Sequence, residues 1–116
     1  MTNKYHAKNT WSELCQRIFD SMAEAKRGEE LALLERAGEI EGLQYQVKFV
    51  LCDKPKISIT IDFKYYENTH RQIVKGKDVY SNIAVYEDTK GVLMRDFRVK
   101  LAWMKEKYGI SVVLTK

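Results

Sequence analysis

Asp62 in "TIDF" and the pair Asp88 and Lys90 in "VYEDTKG" are the residues whose types and spacing could do chemistry. Asp88 and Lys90 are separated by one residue, so on a strand they share a face, with Tyr86, while Glu87 and Thr89 take the other. The run "NIAVY" before them is apolar, and a packed strand has no use for an ending in two adjacent carboxylates and a lysine. Gathered charges of this kind cost solvation energy unless something compensates them. If this strand neighbours "ISITID", Asp62 comes alongside Asp88. Two converging carboxylates form a hard, oxygen-rich site suited to Mg²⁺. A lysine beside such a site could orient or activate a water and stabilise charge on a phosphate.

The elements that must position these residues follow from the hydrophobic pattern. A helix is predicted from "DSMAEAKRGEELALLERAGEI", with Ser21 as N-cap, Leu31, Leu34 and Ala37 at helical spacing, and Gly38 as the stop. Gly28 within it costs about 1 kcal/mol against alanine. "CQRIF" (15–19) reads as a short strand before it. "YQVKFVLC" (45–52) alternates, Lys54-Pro55-Lys56 reads as a turn, and "ISITIDFKYY" (57–66) alternates cleanly. In the latter, Ile57, Ile59, Ile61 and Phe63 point one way. Ser58, Thr60, Asp62 and Lys64 point the other, as the floor of a cleft. Residues 67–82 read as a long loop or flap with a ragged hairpin, and "IAVYEDTK" is the third strand. "MRDFRVKLAWMKEKY" is an amphipathic helix with Met94, Phe97, Leu101, Met104 and Tyr108 on one stripe. Gly109 ends it and "SVVLT" is a final strand. The order helix, three strands, helix, strand predicts an α/β fold, a mixed central sheet flanked by helices.

At 116 residues the chain is read as a single domain, with residues 1–12 as a flexible polar arm. Hydrophobic residues at 45% and charged residues at 31% fit a soluble globular protein. The net charge of +4 suits an anionic partner such as nucleic acid without demanding one. Cys15 and Cys52 are far apart with no CxxC spacing, so reduced thiols are expected, and neither a zinc site nor a disulfide framework. No apolar run approaches the roughly 18 residues of a membrane span, and "MTNKYHAKNTW" lacks the apolar core of a signal peptide. The expected location is the cytoplasm, with no membrane partner. His6 and His70 stand in no metal-type spacing and are read as surface residues, Trp11 and Trp103 as packing or interface residues.

Taken together, "FDSMAEAKRGEELALLERAGEIEGLQYQVKF", "IDFKYY", "VYEDTKG" and "DFRVKLAWMKEKYGI" resemble, in order, the blocks of a family of small phage-encoded nucleases. That family belongs to the PD-(D/E)XK superfamily, some of whose members are Holliday junction resolvases. The likeness covers roughly residues 19–110. It implies a restriction-endonuclease-like core, Asp62 as the first acid, and Asp88-Thr89-Lys90 as the D-x-K element. Isoleucine, not proline, precedes Asp62. By the resemblance, Glu24 on the first helix completes the metal site. Its spacing alone reads as a capping box, Ser21-Met22-Ala23-Glu24, in which the carboxylate bonds back to the Ser21 amide. Through residues 67–82 nothing is carried over.

The function expected is therefore that of an Mg²⁺-dependent endodeoxyribonuclease, Mn²⁺ substituting, in a phage-infected host cell. Asp62, Asp88, Glu24 and the Thr89 carbonyl would hold the metal, and Lys90 would position the attacking water. Glu87 takes no catalytic role and pairs with a cation or solvent on the opposite face. Lys4, Lys8, Arg71, Lys75 and Lys77 could track the DNA backbone. Lys100 on the second helix either covers the core with its stem or reaches a phosphate. A domain this small lacks an added module for reading bases, so it would recognise shape. A four-way junction cut by two symmetric nicks calls for a two-fold homodimer. A less selective flap, fork or duplex nuclease is the enzymatic alternative. From other classes come a catalytically silent nucleic-acid-binding domain of the same fold and a basic interaction protein whose acidic pair is incidental.

Overall fold

A computed structural model describes residues 8–90 and 93–115, with 68–74 and 77–82 described as backbone alone. The chain opens with a hairpin of β1 (Thr10–Ser12) and β2 (Arg17–Phe19), paired antiparallel. Residues 10–12 of the expected arm are thus strand. Burial of Ser12, whose hydroxyl accepts from the Cys15 amide, ties them down. Helix α1 (Met22–Arg36) starts where expected, the Ser21 hydroxyl accepting from the Glu24 amide at 3.0 Å. It buries Glu24, Ala25, Gly28 and Leu31. Leu34 and Ala37, placed on that stripe from sequence, are exposed, because the buried stripe through 24, 28 and 31 ends there and residues 33–39 all face solvent. Glu35 accepts a hydrogen bond from the Leu43 amide at 2.8 Å.

Three long strands follow: β3 (Ile40–Asp53), β4 (Lys56–Val74) and β5 (Lys77–Thr89). Then come α2 (Arg95–Tyr108) and β6 (Val112–Thr115). The sheet order is β3-β4-β5-β6, antiparallel through the first three and parallel between β5 and β6. The chain is α/β with a mixed four-stranded sheet, as expected, and α2 makes the crossover that the parallel pair requires. Residues 67–82 are not a loop. Their backbone continues β4 and β5 as a hairpin turning at Lys75 and Gly76, both with positive φ. The hairpin read there as ragged is one ladder with a single irregularity, between Glu67 and His70, since strand pairing is a backbone property that polar composition does not forbid.

The two helices cover opposite faces at opposite ends of the sheet. Phe63, Tyr65, Tyr45 and Val85 pack with Ala25 and Leu31 of α1. Ile57, Ile59, Ile61, Phe49 and Leu51 pack with Leu101 and Met104 of α2. Residues of one parity on β4 therefore serve both helices, which corrects the expectation that Ile57, Ile59, Ile61 and Phe63 share a face. The change falls at Asp62, and β3 makes the same change at Gln46. The pairs Tyr45↔Phe63 and Val47↔Ile61 bracket these two residues. Gln46 adopts a left-handed φ of 53°, a conformation that costs a non-glycine residue roughly 1 kcal/mol or more. Turning over both strands there lets one apolar stripe face α1 at one end and α2 at the other.

Candidate metal and phosphoryl-transfer site

Where the sheet turns over, the β4–β5 ladder also stops, its last pair being Phe63↔Glu87. Beyond it, side chains replace backbone pairing. The Asp62 amide donates to Asp88 Oδ1 at 2.9 Å, and the Thr89 amide donates to Asp62 Oδ2 at 2.9 Å. Each carboxylate thereby satisfies an amide that the parting strands leave open. Asp88 is fully buried and Asp62 nearly so. The second oxygen of Asp88, Oδ2, is buried and accepts no hydrogen bond. Lys90 Nζ stands 3.2 Å from it as an ion pair, without hydrogen-bond alignment. The same ammonium lies 4.6 Å from the centre of the Phe97 ring on α2.

Glu24 approaches from α1. Its Oε1 accepts from Gln46 Nε2 at 2.9 Å, and the same nitrogen donates to Asp62 Oδ1 at 3.3 Å. Gln46 is thus a bridge between helix and sheet acids, held over them by its left-handed backbone. The capping-box reading holds in part: Ser21 caps the Glu24 amide, and the Glu24 carboxylate faces the Asp20 backbone as well as Gln46. Burial raises the Glu24 carboxyl, with Asp20 and Asp88 adding to the rise, while the Asp20 amide and Arg17 oppose it. Burial, then the Asp88 charge, pushes Asp62 up to about 7, despite the Thr89 amide and Lys90.

Among the described residues, no three acid, histidine or cysteine side chains gather into a ready-made cage for an ion. In this state the carboxylates are tied to amides, to Gln46 and to Lys90. Their chemistry nonetheless fits a hard divalent cation. Three buried carboxylates (Glu24, Asp62 and Asp88) face one lysine, and one buried oxygen, Asp88 Oδ2, is free to accept. Such a charge deficit raises proton affinity until a cation relieves it.

On the α1 side of the same strand, Glu87 is fully neutralised. Arg27 Nε and Nη2 donate to its two oxygens at 2.6 and 3.0 Å, and the Tyr65 hydroxyl donates to Oε2. Pairing with a cation was the expectation for this residue.

Comparison with known families now decides one point, because residues 2–114 match a single family along almost the whole chain. The chain belongs to the DUF1064 family. That family is described as a protein of unknown function. No curated protein and no solved structure matches the chain.

The DUF1064 fold thus brings Asp62, Asp88, Thr89, Lys90 and Glu24 to one place, and among the described residues none of the basic side chains expected to track DNA forms a hydrogen bond or ion pair with them. Lys8 is exposed before β1, and Lys75 is exposed at the far turn of the β4–β5 hairpin. Lys100 is half-buried on α2, one turn beyond Phe97. Lys4 lies outside the described residues, as do the side chains of Arg71 and Lys77. Gln46 was missed from sequence. Counting back from the Lys54-Pro55 turn places it across from Phe63, and the bulge between Val50 and Cys52 moves it opposite Asp62, so no signal in the sequence marked it. Arg17, whose charge acts on Glu24, was missed as well, and no motif marks it.

Proposed function

We propose that this DUF1064 protein is a metal-dependent, structure-selective DNA endonuclease, in the first place a Holliday junction resolvase. The supporting observation is the locked pair Asp62–Asp88 at the fork between β4 and β5, with Lys90 on Asp88 and Glu24 bridged in through Gln46. Asp62, Asp88, Glu24 and the Thr89 carbonyl would hold Mg²⁺, or Mn²⁺ in its place, which would supply Lewis-acid polarisation of the phosphodiester. Asp62 and Asp88 carry the local negative charge that draws the cation in, and their amide partners fix their orientation. Lys90, held between Asp88 and the Phe97 ring, presents an ammonium donor that orients the attacking water and faces the charge developing on phosphorus. Burial of Asp62 and Asp88 keeps bulk water from screening their charges.

The junction assignment rests on the resemblance of the sequence blocks, together with the economy of a single small domain. Two nicks placed symmetrically require a two-fold dimer on the branched DNA.

The test is cleavage of a labelled four-way junction, with linear duplex and a flap as controls, in Mg²⁺ and in EDTA, for wild type and Lys90→Ala. Paired symmetric nicks in the junction alone, lost with EDTA and in the variant, are the expected result. Equal cutting of every substrate would keep the nuclease and discard junction selectivity. A shifted but uncut junction would make a silent binding domain the better reading.

A further inference from the structure

Arg17 is a cation whose Nε the fold buries without a hydrogen-bond partner. It sits on β2, just after Gln16, whose left-handed φ of 54° turns the hairpin. Its guanidinium carbon lies 4.4 Å from the centre of the Tyr45 ring and 5.0 Å from that of Phe19. Both rings belong to the α1-side core, where they meet at 5.8 Å edge to face. Phe19 in turn lies so close beneath α1 that a Cβ on Gly28 would stand 2.6 Å from its Cζ. The shelf under Arg17 is therefore rigid. Its Nε is buried and donates to nothing, and among the described residues no carboxylate lies within ion-pair distance of it.

Leaving a buried guanidinium donor unpaired costs about 1 to 3 kcal/mol. Stacking on two rings offsets part of that by cation–π attraction, yet satisfies no N–H. The place of this donor is informative. Tyr45 precedes Gln46, the bridge to Glu24 and Asp62, and Gly28 lies one turn beyond Glu24 on α1. Arg17 is thus the cation at the Glu24 end of the carboxylate cluster, as Lys90 is at the Asp88 end. A guanidinium seated 4.4 and 5.0 Å from two ring centres, its Nε without a partner, suits an oxyanion.

We infer that Arg17 is a seat for a phosphate oxygen of the nucleic-acid strand, flanking the phosphodiester addressed by Asp88 and Lys90. This rests on the nuclease reading above and assigns that site a substrate contact which its acidic residues cannot make. Arg17 sets the register of the strand rather than acting on the reacting atoms, so it is a positioning residue.

Two measurements test it. In the first, binding of a labelled junction is followed against salt with Ca²⁺ in place of Mg²⁺, since its looser coordination fills an oxygen site without the geometry of Mg²⁺. For Arg17→Met the slope of log K against log salt is expected to fall by about 0.9, the loss of one phosphate contact. Near 0.1 M salt the affinity is expected to fall roughly tenfold, and Arg17→Lys is expected to restore the slope. In the second, the Arg17 Nε–H resonance of the wild-type protein is followed as DNA or inorganic phosphate is added. It is expected to shift with DNA whether or not the variants fold. Wild-type slope and affinity in Arg17→Met, or a resonance unmoved at saturating DNA, would overturn the seat while leaving the nuclease reading standing if wild type still cuts. A resonance that moves with inorganic phosphate and not with DNA would overturn the strand assignment. Wild type that neither binds nor cuts DNA would remove the nuclease reading, and this inference with it.

Discussion

Glu87 and Asp88 are consecutive on β5, both buried, and built into the fold in opposite ways. Glu87 turns toward α1, where a forked arginine and a tyrosine hydroxyl take its oxygens. Asp88 turns the other way, gives one oxygen to an amide, and keeps the other buried with only an unaligned lysine nearby. The first arrangement is what structural burial of a charge requires, since each oxygen finds a donor. The second leaves a buried oxygen without a donor, which is what the proposed cation site requires. The difference separates a strut from a site, on adjacent residues of one strand.

Replacing Asp88 by asparagine should break the comparison most sharply. Cleavage is expected to fall by about three orders of magnitude, the scale of removing a principal electrostatic group. Urea unfolding in EDTA should show stability unchanged or raised, because asparagine still accepts from the Asp62 amide while one of the crowded charges is gone. A large stability loss would make Asp88 a strut like its neighbour. Glu87→Ala should do the converse, costing about 3 kcal/mol in the same unfolding experiment. It strands the half-buried Arg27, whose guanidinium Glu87 holds more firmly protonated than usual. A loss under 1 kcal/mol would show that the α1 network is dispensable.

A smaller effect probes the α1 side by packing alone. In Gly28→Ala the new methyl would stand 2.6 and 2.9 Å from Phe19 and 3.3 Å from Phe63. Overpacking of about 1 to 3 kcal/mol opposes a helix-propensity gain of about 1 kcal/mol, so thermal unfolding should show a net loss of about 1 kcal/mol. The glycine that weakened the helix in sequence is the one that lets the helix approach the sheet. Stabilisation instead would mean that the rings under Arg17 move freely.

Much of this was legible because it is local. The Ser21 cap, the middle of the α2 stripe (Phe97, Leu101 and Met104, its predicted ends Met94 and Tyr108 being exposed), and the alternation that separates Glu87 from Asp88 need only short-range spacing. Even the approach of Asp62 to Asp88 followed from assuming that sequential strands pair. The reversal at Gln46 and Asp62 was not legible, since alternation assumes a strand that keeps its faces. One left-handed residue resets which parity is inward. Arg17 was invisible for a related reason: its meaning lies in what stacks beneath it, and Tyr45 and Phe19 meet only in the folded chain.

The last prediction concerns pH, and its sign follows from Asp62. In the unfolded chain this carboxyl has its ordinary value of 3.8, while burial and Asp88 push it up to about 7 in the fold. Between about pH 4 and pH 7 the native state therefore holds a proton that the unfolded state has released. Stability must fall as pH rises through that window and level off above it, by at most about 1.4 kcal/mol per pH unit from this group. Unfolding midpoints measured in EDTA from pH 4 to 8 should show the decline, and Asp62→Asn should flatten it. Adding Mg²⁺ should act in the opposite direction, stabilising the wild type more at pH 8 than at pH 5, because a cation binds the carboxylate and competes with its proton. A decline that survives in Asp62→Asn, or Mg²⁺ stabilisation that ignores pH, would mean that the charge deficit lies elsewhere than at the fork between β4 and β5.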